Sequence, residues 1–191
     1  MMKESGDALK IRILDGAAAL FIEKGIDNVT TRELTEHLGL SRSHIYHYFS
    51  DWQTLCVAAL ARYTESELET FSAGIAEMAP ADQLEAMIAN YLPDAPDAVW
   101  LLYSSLWQRA VHHKAYAALA ESVIDKWVAL TREIFAAGTA RGDFRVEDSA
   151  RVARQFSAML YGYADTLIIN PSAEKYREAV SDIRAFIRLV V

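Results

Sequence analysis

Apolar positions along the chain fall at helical spacing from the start. Between residues 7 and 24, Ile11, Leu14, Ala18, Phe21 and Ile22 make one stripe, so the stretch reads as an amphipathic helix. Gly25 supplies its stop. Thr30 with Glu33 three residues on forms a capping-box signal, which predicts a short helix over 31–38 with Leu34 and Leu38 facing inward. Gly39 tolerates the positive φ of a tight turn, Leu40 plugs the gap beneath it, and Ser41 is placed to cap a third short helix ending near Phe49. Ser50 with Gln53 reads as a further capping box, opening a long helix over about 52–77.

The pattern stays helical to the end, with expected helices at about 81–91, 96–112, 115–141, 147–169 and 173–190. Pro80 and Pro96 are read as first-turn prolines, Pro171 as a stop, Ser172 as a cap and Gly142-Asp143 as a turn. No stretch alternates with period two for long enough to propose a strand. The expected fold is therefore all-α: a three-helix head with a helix-turn-helix over residues 1–50, then a larger helical body over residues 51–191.

Composition agrees with helices. Ala, Leu and Glu are plentiful, only 4 Pro and 8 Gly interrupt 191 residues, and 52% hydrophobic content can supply a core. The net charge of -7 weighs against nucleic acid as a partner, but its distribution matters. Residues 1–50 carry six Lys/Arg (Lys3, Lys10, Arg12, Lys24, Arg32, Arg42) against seven Asp/Glu, so the acidity sits mainly in the body. The single cysteine, Cys56, excludes an internal disulfide and a cysteine-based zinc cluster. With no leader-like apolar core near the start and no run of about 18 apolar residues, a cytoplasmic, non-membrane location is expected.

The helix-turn-helix concentrates polar chemistry on one short element. Arg42, Ser43, His44, Tyr46 and His47 cluster on the expected third helix, whose start would face the major groove. Arg can donate twice to guanine, Ser can serve several bases, and Tyr and His can bond phosphates. The stretch ILDGAAALFIEKGIDNVTTRELTEHLGLSRSHIYHYFSDWQTL, residues 13–55, resembles the DNA-binding domain of the TetR family of bacterial regulators. The likeness rests on Thr-Thr-x-x-Leu, Leu-Gly-Leu-Ser and Ile-Tyr-His-Tyr-Phe in sequence. It implies that Thr31, Tyr46 and His47 contact phosphate and that Arg42, Ser43 and His44 face bases. It also implies that Tyr48 and Phe49 pack the third helix in place. Two departures stand out. Asp51-Trp52-Gln53 occupies the place of a Lys that often contacts phosphate in the family, and Ser43-His44 replaces a small Gly or Pro then Thr.

Two stripes dominate the end of the chain: Val152, Phe156, Met159, Leu160, Tyr163, Leu167 and Ile168, then Tyr176, Val180, Ile183, Ile187 and Val190. Either they bury against their own chain, or two copies pair them into a four-helix bundle. The family resemblance implies the latter, a homodimer reading a palindromic double-stranded operator. The middle is rich in aromatics, with Trp100, Tyr103 and Trp107 on one helical face. They read as packed core or as the wall of an effector cavity, with Tyr91, Trp100, Tyr103, Trp107, Phe156 and Tyr163 as candidate ligand contacts. Residues 96–169 also look loosely similar to the body of the betaine-regulator branch, and aromatic faces attract cations. The effector itself is an unknown small molecule.

No phosphate loop, Gly-x-Ser-x-Gly or His-Glu-x-x-His is present, so an enzyme is not expected, and no cofactor or metal is implied. His112-His113-Lys114 reads as a helix end and His37 as surface. The reading that results is a transcriptional regulator, expected to act as a repressor released by its effector. The alternative is a helical ligand-binding or interaction module without DNA binding.

Overall fold

A computed structural model describes residues 6–95 and 97–191. Among the described residues there are nine α-helices and no strands: α1 (Gly6–Lys24), α2 (Thr31–Leu38), α3 (Arg42–Tyr48), α4 (Trp52–Ile75), α5 (Pro80–Tyr91), α6 (Ala98–Ala110), α7 (Lys114–Arg141), α8 (Ser149–Ile169) and α9 (Ala173–Val190). A 3-10 turn, Ile26–Asn28, links α1 to α2. The reading of Pro96 as a first-turn residue lies outside the described residues.

Capping explains where several helices begin. Thr30 and Glu33 form the expected reciprocal box: the Glu33 N–H donates to Thr30 Oγ1 at 3.3 Å, and the Thr30 N–H donates to Glu33 Oε2 at 3.0 Å. Pro80 stands in the first turn of α5, and Ser172 Oγ accepts from the Lys175 N–H at 3.2 Å. The Ser50–Gln53 box is corrected. Asp51 caps α4 instead, its Oδ1 accepting from the Thr54 N–H at 2.7 Å while the Ser50 hydroxyl donates to Oδ2 at 3.1 Å. A carboxylate one residue nearer the helix takes the bond with its full charge, and Ser50 is left to orient it. Aspartate also caps α6 and α8: Asp97 Oδ1 accepts from the Val99 N–H at 2.7 Å, and Asp148 Oδ1 from the Arg151 N–H at 2.9 Å.

The chain divides into two compact units. The first runs through Glu67 and takes in Leu101–Ala120. Its core joins Ile13, Ala17, Phe21, Leu34, Ile45, Phe49, Leu55 and Leu60 to Leu102, Leu106 and Tyr116. The second comprises Leu68–Trp100 and Glu121–Val191. Here α8 packs on α9 and on α5, burying Val152, Phe156, Leu160 and Leu167 of the expected stripe together with Ala153, Ser157 and Ala164. In α9 only Ala179 and Ile183 are buried. Phe144 folds back under α7, lying so close to Gly138 that an added Cβ would stand 2.1 Å from its ring.

Candidate nucleic-acid interface

The turn between α2 and α3 is built from Gly39, which ends α2 at φ 65°, ψ 34°. In that left-handed conformation a side chain would be strained. The Gly39 N–H donates to the Glu36 carbonyl at 3.4 Å and the Leu40 N–H to the Thr35 carbonyl at 2.9 Å, closing the end of α2. Arg12 reaches across from α1 and donates to the Leu38 carbonyl at 3.1 Å. Behind the turn, Leu34 and Ile45 are fully buried and Phe49 nearly so, which fixes α3 against α1 and α2. Tyr48 is half-buried, its ring 4.9 Å from that of His47 and 6.5 Å from that of Phe49.

With Ile45 held inside, the other face of α3 turns outward. Arg42, Ser43, His44, Tyr46 and His47 are all exposed. Tyr46, at 47% exposure, sets its hydroxyl 3.3 Å from the Thr31 hydroxyl at the start of α2, so two hydroxyls from two helices converge on one point. Such a pair can share one phosphate oxygen. His44 bends back to the helix cap, its Nδ1 2.7 Å from Ser41 Oγ and 3.3 Å from Ser41 N. The other Lys and Arg side chains among the described residues 6–50 are engaged. Lys24 pairs with Glu33, Arg32 with Glu36, and Arg12 with the α2 terminus, while Lys10 lies 6.0 Å over the Phe49 ring. Arg42 has no such partner among the described residues, so its guanidinium is available to a ligand.

Cys56 and Tyr116 sit together in the core of this unit. Burial pushes the thiol up to about 12, and burial followed by the neighbouring thiol pushes the phenol up to about 12. Both are therefore protonated and unreactive near neutrality. The carboxyl of Glu33 is held low chiefly by the Thr30 N–H, and that of Asp51 by the Thr54 N–H.

The aromatic candidates separate into groups. In the second unit Tyr91 is central: its ring lies 5.6 Å from Trp100, 5.3 Å from Trp127 and 5.5 Å from Tyr161, and Trp127 in turn is 5.3 Å from Phe71. Phe156 belongs elsewhere, edge-on to Phe135 at 5.8 Å and fully buried. Tyr163, half-buried between α8 and α9, donates to Asp182 Oδ2 at 2.6 Å and lines an open cleft of about 620 Å³. Tyr103 and Trp107 pair in the first unit at 5.7 Å, with the Tyr103 hydroxyl donating to Glu67.

Comparison with known proteins decides the family. The model of the tetR family of bacterial regulatory proteins matches residues 13–59, and that of the BetI-type transcriptional repressor C-terminal region matches residues 80–191. The chain belongs to the TetR family. Its region 80–191 is of the BetI type. An HTH-type transcriptional repressor of Mycobacterium tuberculosis, Rv1474c, is 43% identical over 68 residues, 34% of this chain and 36% of that one. The repressor AcnR of Corynebacterium diphtheriae is 36% identical over 89 residues, 47% of this chain and 43% of that one. The matched part thus spans less than half the length of these curated relatives. Among solved structures, a transcriptional regulator from Saccharomonospora viridis in complex with choline superposes with a TM-score of 0.80 at 20% identity, covering 95% of this chain and 96% of that one. Reduced NemR of Escherichia coli does so with a TM-score of 0.81 at 16% identity, covering 94% and 97%. At those identities the likeness is one of fold.

Within the TetR family pattern, the departure at Asp51 now has a structural reason: the residue caps α4. Sequence reasoning missed Tyr161 and Phe71 as neighbours of the Tyr91 group. Neither belongs to a stripe or a motif, and no local spacing could have found them. It also missed the relay joining Ser43, Ser41 and His44, for which a serine at the cap followed by a ring nitrogen three residues later was the available signal.

Proposed function

We propose that this TetR-family chain is a cytoplasmic repressor that binds a palindromic DNA operator as a homodimer and leaves it when a small effector occupies the body. The DNA-contacting set is Thr31, Arg42, Ser43, His44, Tyr46 and His47. The observation that carries this is the outward face of α3, exposed and polar on a helix locked from behind by Ile45 and Phe49, and bearing Arg42, which has no ion-pair partner among the described residues. The functional division is a head of residues 1–50 and a body of residues 51–191.

Pairing of two copies through α8 and α9 accounts for surface that a single chain leaves uncovered: Ile169 is 84% exposed and Leu189 85%, while Tyr176, Val180, Ile187 and Val190 are half-buried. A two-fold pair would bring two copies of α3 to successive major grooves. For the effector, Tyr91 and Trp100 remain the candidate contacts that share one cluster, whereas Tyr103 and Trp107 lie in the first unit, Phe156 is fully buried against Phe135 and Tyr163 lines its own cleft. The Tyr91–Trp100–Trp127–Tyr161 cluster favours a small organic cation, because aromatic faces attract an ammonium group, and a regulator of similar fold is known with choline bound. Helix α4 runs unbroken from Trp52 to Ile75 and gives a route by which the body could bias the head. Among the described residues no helix is long and apolar enough to cross a membrane.

Selection of bound duplexes from a random pool, followed by a salt titration, tests the reading. A repressor of this kind selects an inverted repeat, and its log affinity falls with log salt by about 0.9 per phosphate contact. Failure to enrich any sequence would sink the proposal. Adding choline to the selected complex then tests release, and unchanged affinity at saturating choline would remove the small-cation effector.

A further inference from the structure

Ser41 joins two of the base-facing residues into a hydrogen-bond relay with a fixed direction. The Ser41 backbone N–H lies 3.3 Å from His44 Nδ1, and the Ser41 hydroxyl lies 2.7 Å from the same nitrogen. A backbone N–H only donates, so Nδ1 accepts and carries no proton. In a neutral imidazole the proton is then on Nε2. His44 stands at the third position of α3, where a capping box ordinarily holds Glu or Gln, and here the ring nitrogen does that work. The Ser43 hydroxyl lies 2.7 Å from Ser41 Oγ. With the Ser41 proton directed to His44, the Ser43 hydroxyl donates to Ser41 and keeps its lone pairs for the outside.

We propose that this relay sets hydrogen-bond polarity at the DNA-reading face: His44 presents Nε2–H as an obligate donor to a purine N7 or a keto oxygen, and Ser43 presents an acceptor to a base amino group. Ser41 is the positioning residue. The inference rests on the DNA-binding reading above and adds which base edges these positions select. Guanine O6 and N7, thymine O4 and adenine N7 accept from such a donor, whereas the cytosine N4 amino group repels it.

Two variants separate reading from capping. H44Q keeps an acceptor for the cap and an N–H for the base. H44E keeps the cap acceptor and turns the outward donor into an acceptor. Duplex selection with the full chain is expected to return, for H44Q, the wild-type preference at the base pair His44 reads, with a changed overall affinity. For H44E, one base pair in each half-site is expected to switch toward an amino-bearing base, with a change of about tenfold or more in relative affinity there. Nitrogen-15 NMR of the unbound wild-type protein is expected to show His44 protonated at Nε2 and bare at Nδ1, with the opposite tautomer gaining population in S41A. The proposal is overturned by an Nδ1–H tautomer in wild type, or by H44E selecting the same bases as wild type with only a uniform loss of affinity. Wild type selecting no duplex sinks the regulator reading as well, which distinguishes the two failures.

Discussion

Replacing Tyr46 by Phe isolates one hydroxyl on the outward face of α3 that is proposed to read DNA. The ring keeps its contacts, and the lost atom is the one 3.3 Å from the Thr31 hydroxyl. A hydrogen bond to a charged phosphate contributes about 1.5–3 kcal/mol, and the neutral Thr31–Tyr46 bond already present in the free protein is worth about 0.5–1.5 kcal/mol. The net loss on DNA is their difference, about 1–1.5 kcal/mol per copy. A two-fold pair loses about 2–3 kcal/mol, or roughly thirty- to 160-fold in affinity. No charge is removed, so the slope of log affinity against log salt should hold. Selected and unrelated duplexes should weaken alike, since phosphates carry no sequence. Thr31→Val should weaken binding comparably, and the double variant should lose less than the sum, because both hydroxyls serve one phosphate oxygen. Fluorescence anisotropy with labelled duplexes at several salt concentrations reads all of this. Unchanged affinity for both duplexes, or strict additivity of the two substitutions, would refute the shared-phosphate geometry.

Other expectations concern the scaffold and the assembly. Gly138→Ala drives a methyl into the Phe144 ring, 2.1 Å from its nearest carbon, and should destabilise the fold by about 1–3 kcal/mol in urea unfolding. A wild-type midpoint would refute that packing. Leu189→Asp places a charge on a side chain that is 85% exposed in one chain. If α9 pairs with a second copy, sedimentation equilibrium should show the mass fall from two chains to one. The folded Cys56 thiol titrates near 12 against an ordinary value of 9.0, so its contribution to stability is complete below about pH 9. That contribution is lost as pH rises toward 12, because the unfolded chain releases the proton first. Tyr116, also raised to about 12, adds a loss of the same sign. Urea unfolding across that range should show a decline that is shallower in Cys56→Ala, and equal slopes would contradict the burial.

Helices were legible because their apolar spacing is a property of the local chain, and the boundaries missed by two residues were the starts of α6 and α8, where an aspartate caps, and the ends of α4 and α6. Thr30 with Glu33 was readable since both halves of a reciprocal bond are visible in sequence. Asp51, Asp97 and Asp148 were not, because an aspartate near a helix start is equally at home as a surface charge, and only the distance to a backbone N–H tells the roles apart. The outward face of α3 was legible for a related reason: the helix is seven residues long, so burying Ile45 forces its neighbours outward. The aromatic cluster was half legible. Tyr91 and Trp100 stood out as large rings in a helical region, yet Tyr161 reaches them only through the packing of α8 on α5. The same limit governs α9. Its stripe of Tyr176, Val180, Ile183, Ile187 and Val190 has flawless periodicity, but only Ile183 is buried within one chain. Periodicity reports that a face must be covered and is silent on what covers it. A helix that stays amphipathic while its own chain buries so little of the stripe carries more apolar surface than the monomer uses, and that surplus is the physical argument for a second copy.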